Sequence, residues 1–111
     1  MQISTETFGD VLVAHTPDEL TDETVSEFMG AIAENIESGQ VNLVLQMDRS
    51  DTYDSVGLTS LVELQEKLRG LGGTLKVSGL GSPGRQIFEV TRLDHRFDLF
   101  DSVIEAVSSF S

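Results

Sequence analysis

VNLVLQMDRSDTYDSVGLTSLVELQEKLRGLGGTLKV, residues 41–77, carries two hydrophobic periods in succession. Residues 41–47 (VNLVLQM) are short, apolar and β-branched, the composition of a largely buried strand. From Ser55 onward Leu58, Leu61, Val62, Leu64 and Leu68 recur at helical spacing, which predicts a helix to about Arg69, ended by Gly70, Gly72 and Gly73. Thr74 to Val77 reads as the next strand, and the polar run from Asp48 to Tyr53 as a loop. A strand, a helix and a second strand in this order pack as a right-handed crossover on a parallel sheet.

Upstream, residues 2–7 (QISTET) alternate weakly, and Phe8-Gly9-Asp10 has turn chemistry before the apolar run Val11-Leu12-Val13-Ala14, so a hairpin is expected. A helix beginning near Thr21 follows Pro17. It carries Val25, Phe28, Met29, Ile32, Ala33 and Ile36 on one face and ends at Gly39, where a left-handed cap is usual. Downstream, residues 83–91 read as a short helix opened by Pro83, with Ile87, Phe88 and Val90 apolar. Leu99-Phe100 reads as a last short strand, and Val103 to Phe110 as a terminal helix carrying Ile104, Val107 and Phe110. The expectation is one small α/β domain over residues 1–111, with a mixed, mostly parallel sheet of about four to five strands and helices packed on it.

Composition narrows the function. Nineteen acidic against seven basic residues give a net charge of −12, a field that repels phosphate backbones and anionic lipid surfaces. Nucleic-acid and membrane-surface roles are therefore disfavoured. With no cysteine, disulfides, thiolate zinc sites and cysteine nucleophiles are excluded. His15 and His95 lie far apart without a further ligand at motif spacing, so no metal site is expected. The first residues lack the basic and apolar regions of a signal peptide, and no apolar run approaches a membrane span; a cytoplasmic location is expected.

Four motifs compete for chemistry. Gly79-Leu80-Gly81-Ser82-Pro83-Gly84 matches G-x-G-x-x-G after a strand, but only 27 residues follow it, too few for the rest of a dinucleotide fold. Asp54 after a strand suggests a receiver-domain phosphoacceptor, yet the earlier strand, ending in His15-Thr16, supplies no acidic pair for Mg²⁺. No G-x-S-x-G surrounds Ser55, which argues against a serine hydrolase. Asp48, Asp51 and Asp54 lack the glycine and terminal glutamate of an EF-hand loop. What remains is Ser55 itself. Either Asp54 or Ser55 caps the helix, a role worth roughly 1 kcal/mol, or Ser55 is an exposed first-turn residue where backbone donors and the helix dipole favour an added phosphate. The two roles coexist.

Asp54-Ser55-Val56-Gly57-Leu58, then Leu71-Gly72-Gly73-Thr74-Leu75-Lys76-Val77, Phe88-Glu89-Val90-Thr91-Arg92-Leu93 and Phe97-Asp98-Leu99-Phe100 resemble the STAS domain, in particular the bacterial anti-sigma factor antagonists. The resemblance spans nearly the whole chain. It implies a small α/β fold that binds an ATP-using anti-sigma factor which is also a serine kinase. The unphosphorylated form sequesters that factor, and a serine phosphatase resets the phosphorylated form. Ser55 matches the phosphorylated serine, Asp54 the motif's aspartate and Gly57 its glycine; Val56 stands in place of a second small polar residue. Gln46 stands where the central strand often has aspartate, Ser50 and Thr52 where apolar residues are usual, and Arg92 where glycine is usual. The implied partner surface is Asp54, Ser55, Val56 and Gly57, bordered by Thr21 and Asp22. The resemblance implies no catalysis and no cofactor for this chain, with metal and nucleotide belonging to the kinase. Its alternative is a constitutive STAS scaffold in a signalling assembly or transporter complex, without phosphoryl switching.

Overall fold

The computed structural model describes residues 3–110. In chain order the elements are β1 (Thr5–Phe8), β2 (Val11–His15), β3 (Glu19–Leu20), α1 (Val25–Glu37), β4 (Asn42–Gln46), β5 (Thr52–Tyr53), α2 (Ser55–Gly70), β6 (Thr74–Ser78), α3 (Ser82–Val90), a 3-10 turn (Leu93–His95), β7 (Asp98–Phe100) and α4 (Val103–Ser108). The main sheet has five strands in the order β1-β2-β4-β6-β7. β1 and β2 form the antiparallel hairpin expected around Gly9, and every other neighbour in this sheet is parallel. The mixed, mostly parallel α/β architecture read from the sequence is the architecture observed.

Alternation along the inner strands divides the interior into two layers. Leu12, Ala14, Leu43, Leu45, Leu75 and Val77 point to one side, where Phe28, Ile32 and Ile36 of α1, Leu61, Leu64 and Leu68 of α2, and Phe88 of α3 cover them. Val11, Val13 and Val44 point to the other side, against Ala106, Val103 and Val107 of α4. With successive side chains on opposite faces, strands covered on both sides must be apolar throughout, which is why residues 11–14 and 43–45 read as continuous hydrophobic runs. Phe28 and Ile32 are fully buried, and each such side chain contributes about 1.5–3 kcal/mol of transfer free energy.

The second layer is thin, because α4 has only six residues. Lys76 reinforces it from the sheet. Its Nζ lies 4.4 Å from the ring centre of Phe110 and 5.6 Å from that of Phe100, and donates to Ser109 Oγ at 2.6 Å.

The sequence expectations need three corrections. Residues 48–53 are not wholly loop: Thr52–Tyr53 pairs in parallel with Glu19–Leu20, forming a separate two-stranded sheet. α1 begins at Val25 rather than near Thr21, because the Thr24 hydroxyl donates to Glu19 O at 2.7 Å and accepts from Thr21 N–H, holding residues 21–24 as a turn. Val90 and Ile104, apolar positions of α3 and α4 for which the sequence reading stated no burial, are 80% and 75% exposed. The helix expected to reach Phe110 ends at Ser108, although Phe110 still packs on the second layer. Among the described residues no helix is long and apolar enough to cross a membrane.

Candidate functional site

The site is the place where the second, two-stranded sheet delivers the chain into α2. Asp54, not Ser55, is the N-cap. Its backbone is extended, and its Oδ1 accepts from Gly57 N–H at 2.8 Å. Its Oδ2 accepts from Asp22 N–H at 2.9 Å, so one carboxylate ties the start of α2 to the turn before α1 across 32 residues of sequence. The Gly57 N–H first, and then the Asp22 N–H, stabilise the charged form and hold the Asp54 carboxyl below its ordinary value.

This has a consequence in acid. The native carboxylate binds its proton less tightly than the unfolded chain does, so its contribution is present above the unfolded carboxylate pKa of about 3.9 and is lost as pH falls through the lower native value. Asp54→Asn, which can still cap, lowers the melting temperature at pH 7 by a few degrees. That difference from the parent shrinks below about pH 3.5, as thermal melts of both proteins across pH will show. A difference constant with pH would refute the role of the charge.

Ser55 is the first residue of α2 and is exposed; its hydroxyl makes no hydrogen bond among the described residues. Asp54 does not orient it by a direct bond, since both carboxylate oxygens accept from backbone N–H groups. Asp54 acts on Ser55 by fixing where the helix starts. Val56 beside it is 47% exposed, an apolar side chain on the rim. Gly57, in contrast, is buried, and a Cβ there would lie 1.9 Å from Leu20 O. The room left by the motif's glycine is therefore taken by the protein's own β3 strand, and Gly57 serves by allowing that approach.

Shallow grooves flank Ser55. One runs between α1 and α2, lined by Val25, Met29, Val56 and Thr59; the other lies toward the end of α3, lined by Leu58, Val62, Thr91 and Leu93. Asp22 is exposed next to Asp54, whereas Thr21 is half-buried, and its carbonyl accepts from Val25 N–H at 2.9 Å. The structure thus brings Thr21, Asp22, Asp54, Ser55 and Val56 to one end of the molecule. Leu58 and Val62, read on the apolar stripe of α2, do pack against the core but are only partly buried and also line the groove toward α3, which the sequence reading did not foresee. They stand three and seven positions after Ser55, which puts them on its face, and that spacing was the available signal.

The other candidates separate. Gly79 has φ +74° in the turn after β6, and Gly84 is buried against Leu80 and Tyr53, so the glycines of residues 79–84 serve a turn and a helix contact. Tyr53 donates to Ser50 O at 2.9 Å, and burial pushes its hydroxyl up to about 12. Gln46 accepts from the Ser78 hydroxyl at the ends of β4 and β6, so the amide standing where aspartate is common is engaged inside the fold. His15 lies 3.2 Å from Glu6 and His95 is exposed. Among the described residues no group of three or more His, Cys, Asp or Glu is placed to hold a metal ion.

A family model described as the STAS domain matches residues 2–106. No protein of curated function matches the sequence. Among solved structures, the chain is similar to a Thermotoga maritima protein assigned as an anti-sigma factor antagonist, at 19% identity and TM-score 0.88, covering 96% of this chain and 92% of that one. It is similar to an anti-sigma factor antagonist from Mycobacterium paratuberculosis at 25% identity and TM-score 0.85, covering 97% and 92%. It is also similar to a sulfate transporter family protein from Wolinella succinogenes at 19% identity and TM-score 0.80, covering 94% and 87%.

Proposed function

The chain belongs to the STAS domain family, and from that premise we propose that it is an anti-sigma factor antagonist controlled by phosphorylation of Ser55. In this reading the unphosphorylated protein binds an anti-sigma factor that is also a serine kinase, and phosphorylation releases it. A serine phosphatase restores the binding form, and transcription is regulated indirectly. The protein is substrate and ligand rather than enzyme; the nucleotide and its metal belong to the kinase.

One observation carries the reading: an exposed serine with an unengaged hydroxyl stands at the first position of a helix whose start is locked by Asp54 and Gly57. A phosphoryl group there meets the positive end of the helix dipole, so the fold tolerates it. The proposed binding surface comprises Ser55, Val56 and Asp54 with Thr21 and Asp22 at its border, while Gly57 contributes from beneath.

The likeness to a sulfate transporter family protein favours a second reading, a constitutive scaffold that binds its partner whatever the state of Ser55. Intact mass after incubation with extract of its own cells and Mg-ATP separates the two. The switch predicts the gain of one phosphoryl group that Ser55→Ala abolishes. A protein that stays unmodified, and whose partner complex survives changes at Ser55, is a scaffold.

A further inference from the structure

The groove on the α3 side of Ser55 continues. Val62, Thr91 and Leu93 line both its first part, at Ser55 and Leu58, and a second part bounded by Arg69, Arg92, His95 and Arg96. Three of the seven Lys and Arg residues of a chain with net charge −12 therefore surround one end of one trough. Two local carboxylates temper this charge. Arg96 donates to Glu66 at 2.8 Å, and His95 lies 3.9 Å from Asp94. Among the described residues neither Arg69 nor Arg92 pairs with a carboxylate.

Arg92 is the more telling of the two. It has φ +65°, the sole non-glycine with positive φ among the described residues, just past the end of α3. That position relaxes with glycine, and an arginine there carries backbone strain. The backbone of Arg92 closes α3 and opens the 3-10 turn, its N–H donating to Glu89 O and its carbonyl accepting from His95 N–H, both at 3.2 Å, whereas its side chain makes no bond among the described residues. Glycine would serve this backbone position with less strain, and the arginine there adds an unpaired charge at the rim of the trough, available to a ligand outside the chain.

We propose that this trough docks an acidic segment of a partner protein, with its apolar residues on Leu58, Val62 and Leu93 and its carboxylates on Arg69 and Arg92. The trough follows α2 from Ser55 to Arg69, about 21 Å at 1.5 Å per residue, and so accepts about six extended residues. A short acidic peptide suits a local basic patch on an acidic protein, whereas a longer polyanion such as RNA meets the repulsion of the rest of the surface. The inference names a second recognition element for the binding module and holds whether or not Ser55 is phosphorylated.

The test uses the ¹⁵N-labelled full chain and an eight-residue synthetic peptide with two leucines at one end and four glutamates at the other. Titration is expected to shift the amides of Val62, Arg69, Thr91, Arg92 and Leu93. Arg69→Glu combined with Arg92→Glu is expected to weaken binding at least tenfold. Arg92→Gly supplies the decisive contrast: it relieves the strain, so its melting temperature rises by a few degrees, while peptide binding weakens several-fold. Absence of shifts at these amides, full binding by Arg92→Gly or by the double variant, or tighter binding of a single-stranded RNA of equal length would each overturn the proposal.

Discussion

Gly57→Ala is expected to destabilise the protein by about 3 kcal/mol or more, near the top of the range for overpacking. The added Cβ would stand 1.9 Å from Leu20 O and 2.6 Å from Leu20 C, both backbone atoms, so no rotamer change relieves the clash. Relief requires β3 to leave the first turn of α2. That movement breaks the pairing of Glu19–Leu20 with Thr52–Tyr53 and pulls the Asp22 N–H away from Asp54. For a chain of this size the loss corresponds to a fall in melting temperature of about 15 °C. Gly30→Ala is the internal control. Gly30 lies within α1 with nothing within 4 Å of its added Cβ, so that change should be neutral or stabilising by up to about 1 kcal/mol. Urea denaturation of both variants measures the contrast, and equal stabilities would mean that β3 yields freely.

Phosphorylation of Ser55 is expected to weaken binding to the modifying kinase about 100-fold while leaving the fold intact. The phosphate adds a charge of about −1.5 to −2 in front of a partner surface. Asp54 is adjacent to it, Asp22 is hydrogen-bonded to Asp54, and Asp51 is exposed in the preceding segment. Burying so strongly hydrated a cluster of charge against a surface that receives a neutral hydroxyl costs several kcal/mol, and 2.7 kcal/mol is a factor of about 100. Within the isolated protein the same phosphate meets the N-terminal end of a 16-residue helix, where an anion is stabilising. On the proposed reading the switch acts by desolvation cost and steric exclusion at the surface rather than by unfolding. Circular dichroism and calorimetric titration of the phosphorylated protein itself test both halves. Loss of the helical spectrum would locate the switch in the fold, and undiminished affinity would remove the switch altogether.

Much of the fold was legible because its signals are local. Val41 to Met47, the stripe of α2 and the glycines after it announced a strand, a helix and a stop without reference to the rest of the chain. Phe28, Ile32 and Ile36 announced α1 in the same way. Val90 and Ile104 show what such local signals leave open. An apolar residue near the end of a short helix satisfies the helical period, but burial requires a neighbour opposite it, and among the described residues both stay largely exposed.

The site divides along the same line. Asp54-Ser55-Val56-Gly57 before a helical stripe identified by itself a capped helix start carrying a serine, because capping is settled within four residues. Only the tertiary structure decided what else the capping carboxylate holds, what Gly57 makes room for, and what surrounds Ser55. The Asp54–Asp22 bond joins residues 32 apart, and the β3–β5 pair consists of two-residue strands too short to show a period. The Arg69–Arg92 trough is assembled from α2 and the segment after α3. Periodicity and capping follow from backbone geometry over one or two turns and are written into consecutive residues. Contacts between distant segments arise only when the shared core brings them together, and a single sequence holds no local record of those meetings.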